Sequence, residues 1–88
     1  MADLFRLSVV TGEGTLFDES VEYVNLPTAF GSLGVMANHA PMLCAVEAGV
    51  IRCRWSGGEA RVRVSSGVAS VENNELTVLV SSGQVLED

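Results

Sequence analysis

His39 is the only histidine in the chain, so it is the one side chain able to act as a general base near neutral pH or to open a metal site. One imidazole cannot build a multi-histidine metal centre. Serines are plentiful enough for a Ser-His-Asp arrangement, but no Gly-x-Ser-x-Gly elbow presents a nucleophile. Beside Pro41, His39 reads as a structural residue hydrogen-bonded to loop backbone. Cys44 and Cys53 form no CxxC pair, lack partner histidines and call for no disulfide; they read as small buried hydrophobes. Glu19 and Glu22 pair by spacing only, and at a strand entrance they face water. Gly12, Gly14, Gly31 and Gly34 make no GxGxxG, and no helix follows to receive a phosphate. Five arginines and no lysine exclude a Walker A lysine and a Schiff base. The residues point away from an enzyme and call for no cofactor and no metal.

The elements that carry these residues are short. The 88 residues are 48% apolar but only 6% aromatic, which suits one domain, residues 1–88, with an aliphatic core. No apolar run approaches the ~20 residues of a membrane helix, and Met1-Ala2-Asp3-Leu4 does not begin a secretory signal. The net charge of −6 argues against nucleic acid and anionic membranes as partners.

Alternation predicts a strand at Phe5, Leu7 and Val9, then a turn at Thr11-Gly12-Glu13-Gly14. Thr15-Leu16-Phe17 reads as a short strand and Asp18-Glu19-Ser20 as a polar connection. A strand runs from Val21 to Leu26, and Pro27 stops it or sets it at an edge. Met42 to Val46, apolar on both parities, reads as a strand covered on both sides. Val68 to Val71 and Leu76 to Val80 are strands flanking an Asn73-Asn74 turn, and residues 81–88 are expected to fray. Eight to ten short strands without an amphipathic helix make an all-β sandwich or barrel.

One hairpin invites a register prediction. Val50 to Trp55 and Ala60 to Val64 flank Ser56-Gly57-Gly58-Glu59. A Gly57-Gly58 turn pairs Trp55 with Ala60, Cys53 with Val62 and Ile51 with Val64. It sets Arg54 opposite Arg61 and Arg52 opposite Arg63. Four arginines then share the outer face, either as a solvated face eased by Glu59 or as a surface for an acidic partner.

Between the strands lies Gly31-Ser32-Leu33-Gly34-Val35-Met36-Ala37-Asn38-His39-Ala40-Pro41-Met42-Leu43, read as a constrained loop and a recognition surface. Val35, Met36 and Met42 are candidates for an exposed apolar patch there, or Met36 and Met42 fill core gaps. This stretch resembles the G-x-[LF]-G-[VI]-x-x-x-H-A-P-[LM]-[LM] segment of the N-terminal domain of ATP synthase epsilon subunits. Leu7 to Thr11, Gly14 to Phe17, Val21 to Val24 and Leu26-Pro27 look like that family's opening strands. Gly49 to Arg52, Val64 to Gly67 and Leu76 to Leu79 look like its closing ones, so the resemblance covers essentially the whole chain.

The resemblance implies a flattened β-sandwich of about ten strands and a non-catalytic place on the central stalk of an F-type ATP synthase. There the domain would grip the gamma subunit and rest on the membrane rotor ring, with the catalytic head touched only indirectly. The contact positions carried over are Thr11, Phe30, Gly31, Ser32, Leu33, Met36, His39, Met42 and Cys44. The implied location is the cytoplasmic face of a bacterial inner membrane, reached only through the complex. Ser32 stands where the family often has an acidic residue, and Asn38 where it often has glycine; Asn tolerates the left-handed region better than most residues. The family's C-terminal two-helix hairpin has no counterpart before Asp88; either the sequence is a truncated piece or the subunit is naturally short, the second being the expectation, without helix-mediated inhibition. Rival readings are an independent β-sandwich protein-binding module and a small hydrolase using His39.

Overall fold

Period-two alternation gives each strand one apolar face, and a sheet with one apolar face must bury it against another layer. The computed structural model, which describes residues 3–86, meets that need with two stacked five-stranded sheets. Ten strands and no helix occur among the described residues, as an all-β sandwich requires. In chain order they are β1 (Phe5–Thr11), β2 (Gly14–Val21), β3 (Tyr23–Thr28), β4 (Gly31–Met36) and β5 (Met42–Val46). Then come β6 (Gly49–Trp55), β7 (Gly58–Val64), β8 (Gly67–Glu72), β9 (Glu75–Val80) and β10 (Gly83–Leu86). The first sheet has the order β2-β1-β9-β8-β5, and the second β10-β7-β6-β3-β4. Neighbours are antiparallel except β1 and β9, which run parallel.

One core cluster joins the inner faces. Leu7, Val9, Leu76 and Val78 come from the first sheet, and Leu26, Val35, Ile51 and Val62 from the second; all eight are fully buried. Each such side chain contributes about 1.5–3 kcal/mol relative to exposure.

Several local expectations give way to pairing. Asp18-Glu19-Ser20 is not a connection: β2 runs unbroken to Val21, and Ser8 pairs with Asp18. β2 is an edge strand, so its polar side chains reach water while its backbone bonds to β1. A bulge at Val9/Val10 leaves Leu16 as the extra residue. The strand expected from Val21 to Leu26 is divided at Glu22, between β2 and β3. Pro27 does not stop β3; it pairs with Ser32 of β4, beyond the Tyr23–Asn25 segment that β6 engages, so its missing N–H interrupts no ladder there.

The supposed loop is largely strand. Gly31–Met36 is β4, and irregular backbone is confined to residues 37–41. Its weak alternation has a packing reason. A Cβ on Gly34 would lie 2.8 Å from the Tyr23 hydroxyl, because the Tyr23 ring occupies that space. β5 is not covered on both sides either: it ends its sheet, with Leu43 and Ala45 exposed. Residues 83–86 do not fray but form β10 against β7; Glu87 and Asp88 lie outside the described residues.

The β6–β7 register differs by two residues from expectation. Ser56-Gly57 makes the turn, so Trp55 pairs with Gly58, Cys53 with Ala60 and Ile51 with Val62. A two-residue shift preserves the faces. It also places Glu59 opposite Arg54 and leaves Arg52–Arg61 as the one directly opposed arginine pair of this ladder. Asn73 (φ 51°) and Asn74 (φ 62°) both take positive φ, the geometry of a two-residue hairpin turn, as expected.

Candidate functional site

Two hairpin turns use the same chemistry. At Thr28-Ala29-Phe30-Gly31, the Thr28 hydroxyl accepts the Phe30 N–H at 3.2 Å and donates to the Gly31 carbonyl at 2.6 Å. Gly31 sits at φ 106°, where a side chain would be strained. At Thr11-Gly12-Glu13-Gly14, the Thr11 hydroxyl accepts the Glu13 N–H at 3.1 Å and lies 3.4 Å from the Gly14 carbonyl. Register across both sheets sets the two turns at the same end of the sandwich, on opposite corners.

The Thr28–Gly31 turn holds Phe30 in full solvent exposure, at 101%. Beside it lies a groove of about 350 Å³ lined by Phe30, Ser32, Leu33, Cys44 and Ala45 together with Thr28 and Ala29. The structure therefore brings together Phe30, Ser32, Leu33 and Cys44 of the predicted set, with Gly31 in the adjoining turn. Leu33 and Cys44 also pack against the core, and burial pushes the Cys44 thiol up from its ordinary value.

Met36, His39 and Met42 lie toward the other end. Met36 is exposed and pairs with Tyr23, while Met42 is half-buried against the core. Val35, expected in an exposed patch, is fully buried, because its parity faces the opposite sheet. His39 Nδ1 lies 2.7 Å from the Ala40 carbonyl, the backbone hydrogen bond expected of a structural histidine. Asn38 takes φ 65°, so the left-handed position is occupied by the tolerant residue.

Asn74 was legible only as a turn residue, yet it anchors this end. Its side-chain carbonyl accepts the Asn38 N–H at 2.7 Å, and its amide donates to the Leu4 carbonyl at 2.9 Å. Those partners are 36 and 70 residues away, so no local signal marks the role.

Sequence reasoning also missed an apolar row across the outer face of the first sheet. Val10 pairs with Leu79, Leu79 with Val68 and Val68 with Ala45, and Leu43 lies beside the row. Leu43 is 75% exposed, with Leu79 and Val68 also exposed. Each reads alone as an ordinary strand hydrophobe.

Cys53 is buried, and that burial is the main reason its thiol is pushed up to about 11, which keeps it inert. Among the described residues no group of three His, Cys, Asp or Glu side chains is placed to hold a metal ion. The arrangement is suited to contact: a rigid apolar knob, a groove and a half-buried thiol.

Residues 4–84 match the family model described as ATP synthase, Delta/Epsilon chain, beta-sandwich domain. The ATP synthase epsilon chain of Desulfitobacterium hafniense is 37% identical over 84 residues, covering 96% of this chain and 64% of the relative. The chloroplastic epsilon chain of Cyanidioschyzon merolae is 37% identical over 79 residues, covering 90% of this chain and 60% of the relative. The chain thus spans less than two thirds of the length of either. A chain in the Euglena gracilis mitochondrial ATP synthase structure (OSCP/F1/c-ring) shares the fold, with TM-score 0.86 and 22% identity over 97% of this chain and 55% of that one.

Proposed function

The chain belongs to the β-sandwich domain family of ATP synthase delta/epsilon chains, and on that premise we propose that it is a non-catalytic central-stalk subunit of an F-type ATP synthase. In this reading residues 1–88 act as one domain that docks on the gamma subunit and the membrane rotor ring. It transmits ion-driven rotation to the head and performs no chemistry itself. The complex it serves is membrane-bound and the domain is peripheral to it, on the cytoplasmic face of a bacterial inner membrane.

One observation carries the reading. Phe30 is fully exposed, yet its backbone is locked by Thr28 and Gly31. A phenyl ring held in water contributes nothing to this core, while a rigid aromatic anchor beside an apolar groove suits a partner contact. Gly31, Ser32, Leu33 and Cys44 supply the surroundings of that contact. Thr11 extends the surface across the same end, and Met36, His39 and Met42 would meet a partner wrapping toward the other.

The test is co-purification with gamma and ring subunits. Phe30→Ser is expected to weaken that association about 10- to 100-fold, as loss of an aromatic anchor does, with an unchanged melting temperature. Maleimide should label Cys44 slowly in the free chain and not in the assembly, while Cys53 stays unlabelled in both. Full association of Phe30→Ser, or equal Cys44 labelling in both states, would overturn the assignment.

A further inference from the structure

The hollow on the outer face of the second sheet shares no residue with the Phe30 groove. Ile51, Cys53, Val62 and Val64 point into the core, so the alternate residues Arg52, Arg54, Arg61 and Arg63 all point outward. Four of the five arginines of an acidic chain are thereby gathered on two neighbouring strands. At the outward positions of this sheet's strands, Glu59 is the only carboxylate among the described residues.

Three of the four have no described carboxylate close by. Among the described residues the ion pair within 4 Å is Arg6–Asp18, on the other sheet, so Arg52, Arg54 and Arg63 have none there. Arg52 stands directly opposite Arg61, an arrangement that costs stability in a bare sheet. Arg54 instead stacks on an aromatic face: its guanidinium lies 4.6 Å from the centroid of the Tyr23 ring. Tyr23, Asn25, Arg52, Arg54 and Glu59 line a hollow of about 360 Å³.

We propose that this face docks an extended acidic segment of a protein partner. Guanidinium forks match carboxylates in paired hydrogen bonds. Arg52 and Arg54, two residues apart on one strand, project about 7 Å apart, the spacing of alternate side chains on an extended peptide. A segment with a carboxylate at every second residue, laid along β6, therefore meets both arginines in register. Duplex nucleic acid and anionic membranes are extended polyanions that would also face the acidic remainder of the chain and be repelled. A short peptide touches this face alone.

The probe is an eight-residue peptide alternating glutamate with threonine, titrated into the 88-residue chain and followed by fluorescence anisotropy. Binding is expected to be weak and to fall severalfold as salt rises, because exposed charges are screened. Its glutamine counterpart should not bind. Arg52→Gln with Arg54→Gln should weaken the glutamate peptide about tenfold, Arg54→Lys by less, and Arg6→Gln on the other sheet not at all. Failure of the glutamate peptide to bind, equal binding of the glutamine peptide, or undiminished binding by the double variant would overturn the proposal. So would tighter binding to duplex DNA or to phosphatidylglycerol vesicles. The two peptides compared on the unaltered chain decide the question even where a variant folds poorly. Loss here with Phe30-dependent association intact separates this surface from the stalk contact.

Discussion

β9 and β6 are the central strands of their respective sheets, and inwardly they are alike. Leu76 and Val78 on one, and Ile51 and Cys53 on the other, enter the same core. Outwardly they diverge. β9 presents Glu75, Thr77 and Leu79, and Leu79 joins an apolar row that runs from Val10 to Ala45. β6 presents Val50, Arg52 and Arg54, with Tyr23 beneath Arg54. Packing constrains the inner positions, because removing a buried side chain leaves a void the neighbours cannot fill. The outer positions are free of that constraint, so their chemistry reflects what each face meets.

Substitutions on the two sides of β9 should differ most in their cost. Leu76→Ala should cost about 2–5 kcal/mol of unfolding free energy by denaturant titration. Leu79→Ala, three residues on and outward, should stay within about 0.5 kcal/mol. A comparable cost for Leu79→Ala would mean that the outer row is part of the packing.

A smaller effect is expected where a glycine shapes the arginine face. Gly34→Ala places a Cβ against the Tyr23 hydroxyl, the far end of a side chain that can swing aside. The cost should be about 1 kcal/mol, with displacement of Tyr23 from Arg54 visible in the tyrosine ring resonances. Gly67→Ala is the harsher counterpart on β8, since the new Cβ meets the Leu79 carbonyl and backbone must move. Gly67→Ala should therefore destabilise more than Gly34→Ala.

The smallest effect concerns pH. The Arg6 guanidinium, bonded to Asp18 at 2.7 Å, holds the Asp18 carboxyl below its ordinary value of 3.8. A depressed carboxylate stabilises the folded chain above its unfolded value and loses that contribution as pH falls through the lower folded value. The pair is solvent-exposed, so the increment is slight. Asp18→Asn should remove a small part of the acid-induced drop in melting temperature below about pH 4. Arg52→Gln, at an arginine with no carboxylate within 4 Å among the described residues, should leave the acid limb unchanged.

Much of the fold was legible because strand periodicity is local. The parity of Phe5, Leu7 and Val9, the arginine alternation, and the Asn73-Asn74 turn needed no distant partner to be read. The three segments missed as strands share one cause. Asp18–Ser20, Gly31–Met36 and residues 83–86 lack a strong pattern of their own and become strands through β1, β3 and β7. At the candidate site, the groove assembles Phe30, Ser32 and Leu33 from β4 and its turn with Cys44 from β5, strands that belong to different sheets.

Local pattern is enough to tell which face of each well-patterned strand is apolar, that Asn73-Asn74 turns, that the arginines share a side, and which family the chain resembles. These follow from the two-residue period, from backbone preferences at Gly and Asn, and from an ordered set of short fragments. Packing of the whole sandwich sets which strands are edges, the parallel β1–β9 pairing, the β6–β7 register and the joining of Asn74 to Asn38. A backbone hydrogen bond carries no record of side-chain identity, so a strand's partner is chosen by the packing of the whole sandwich. That choice exposes Leu43, buries Val35 and leaves Phe30 standing in water.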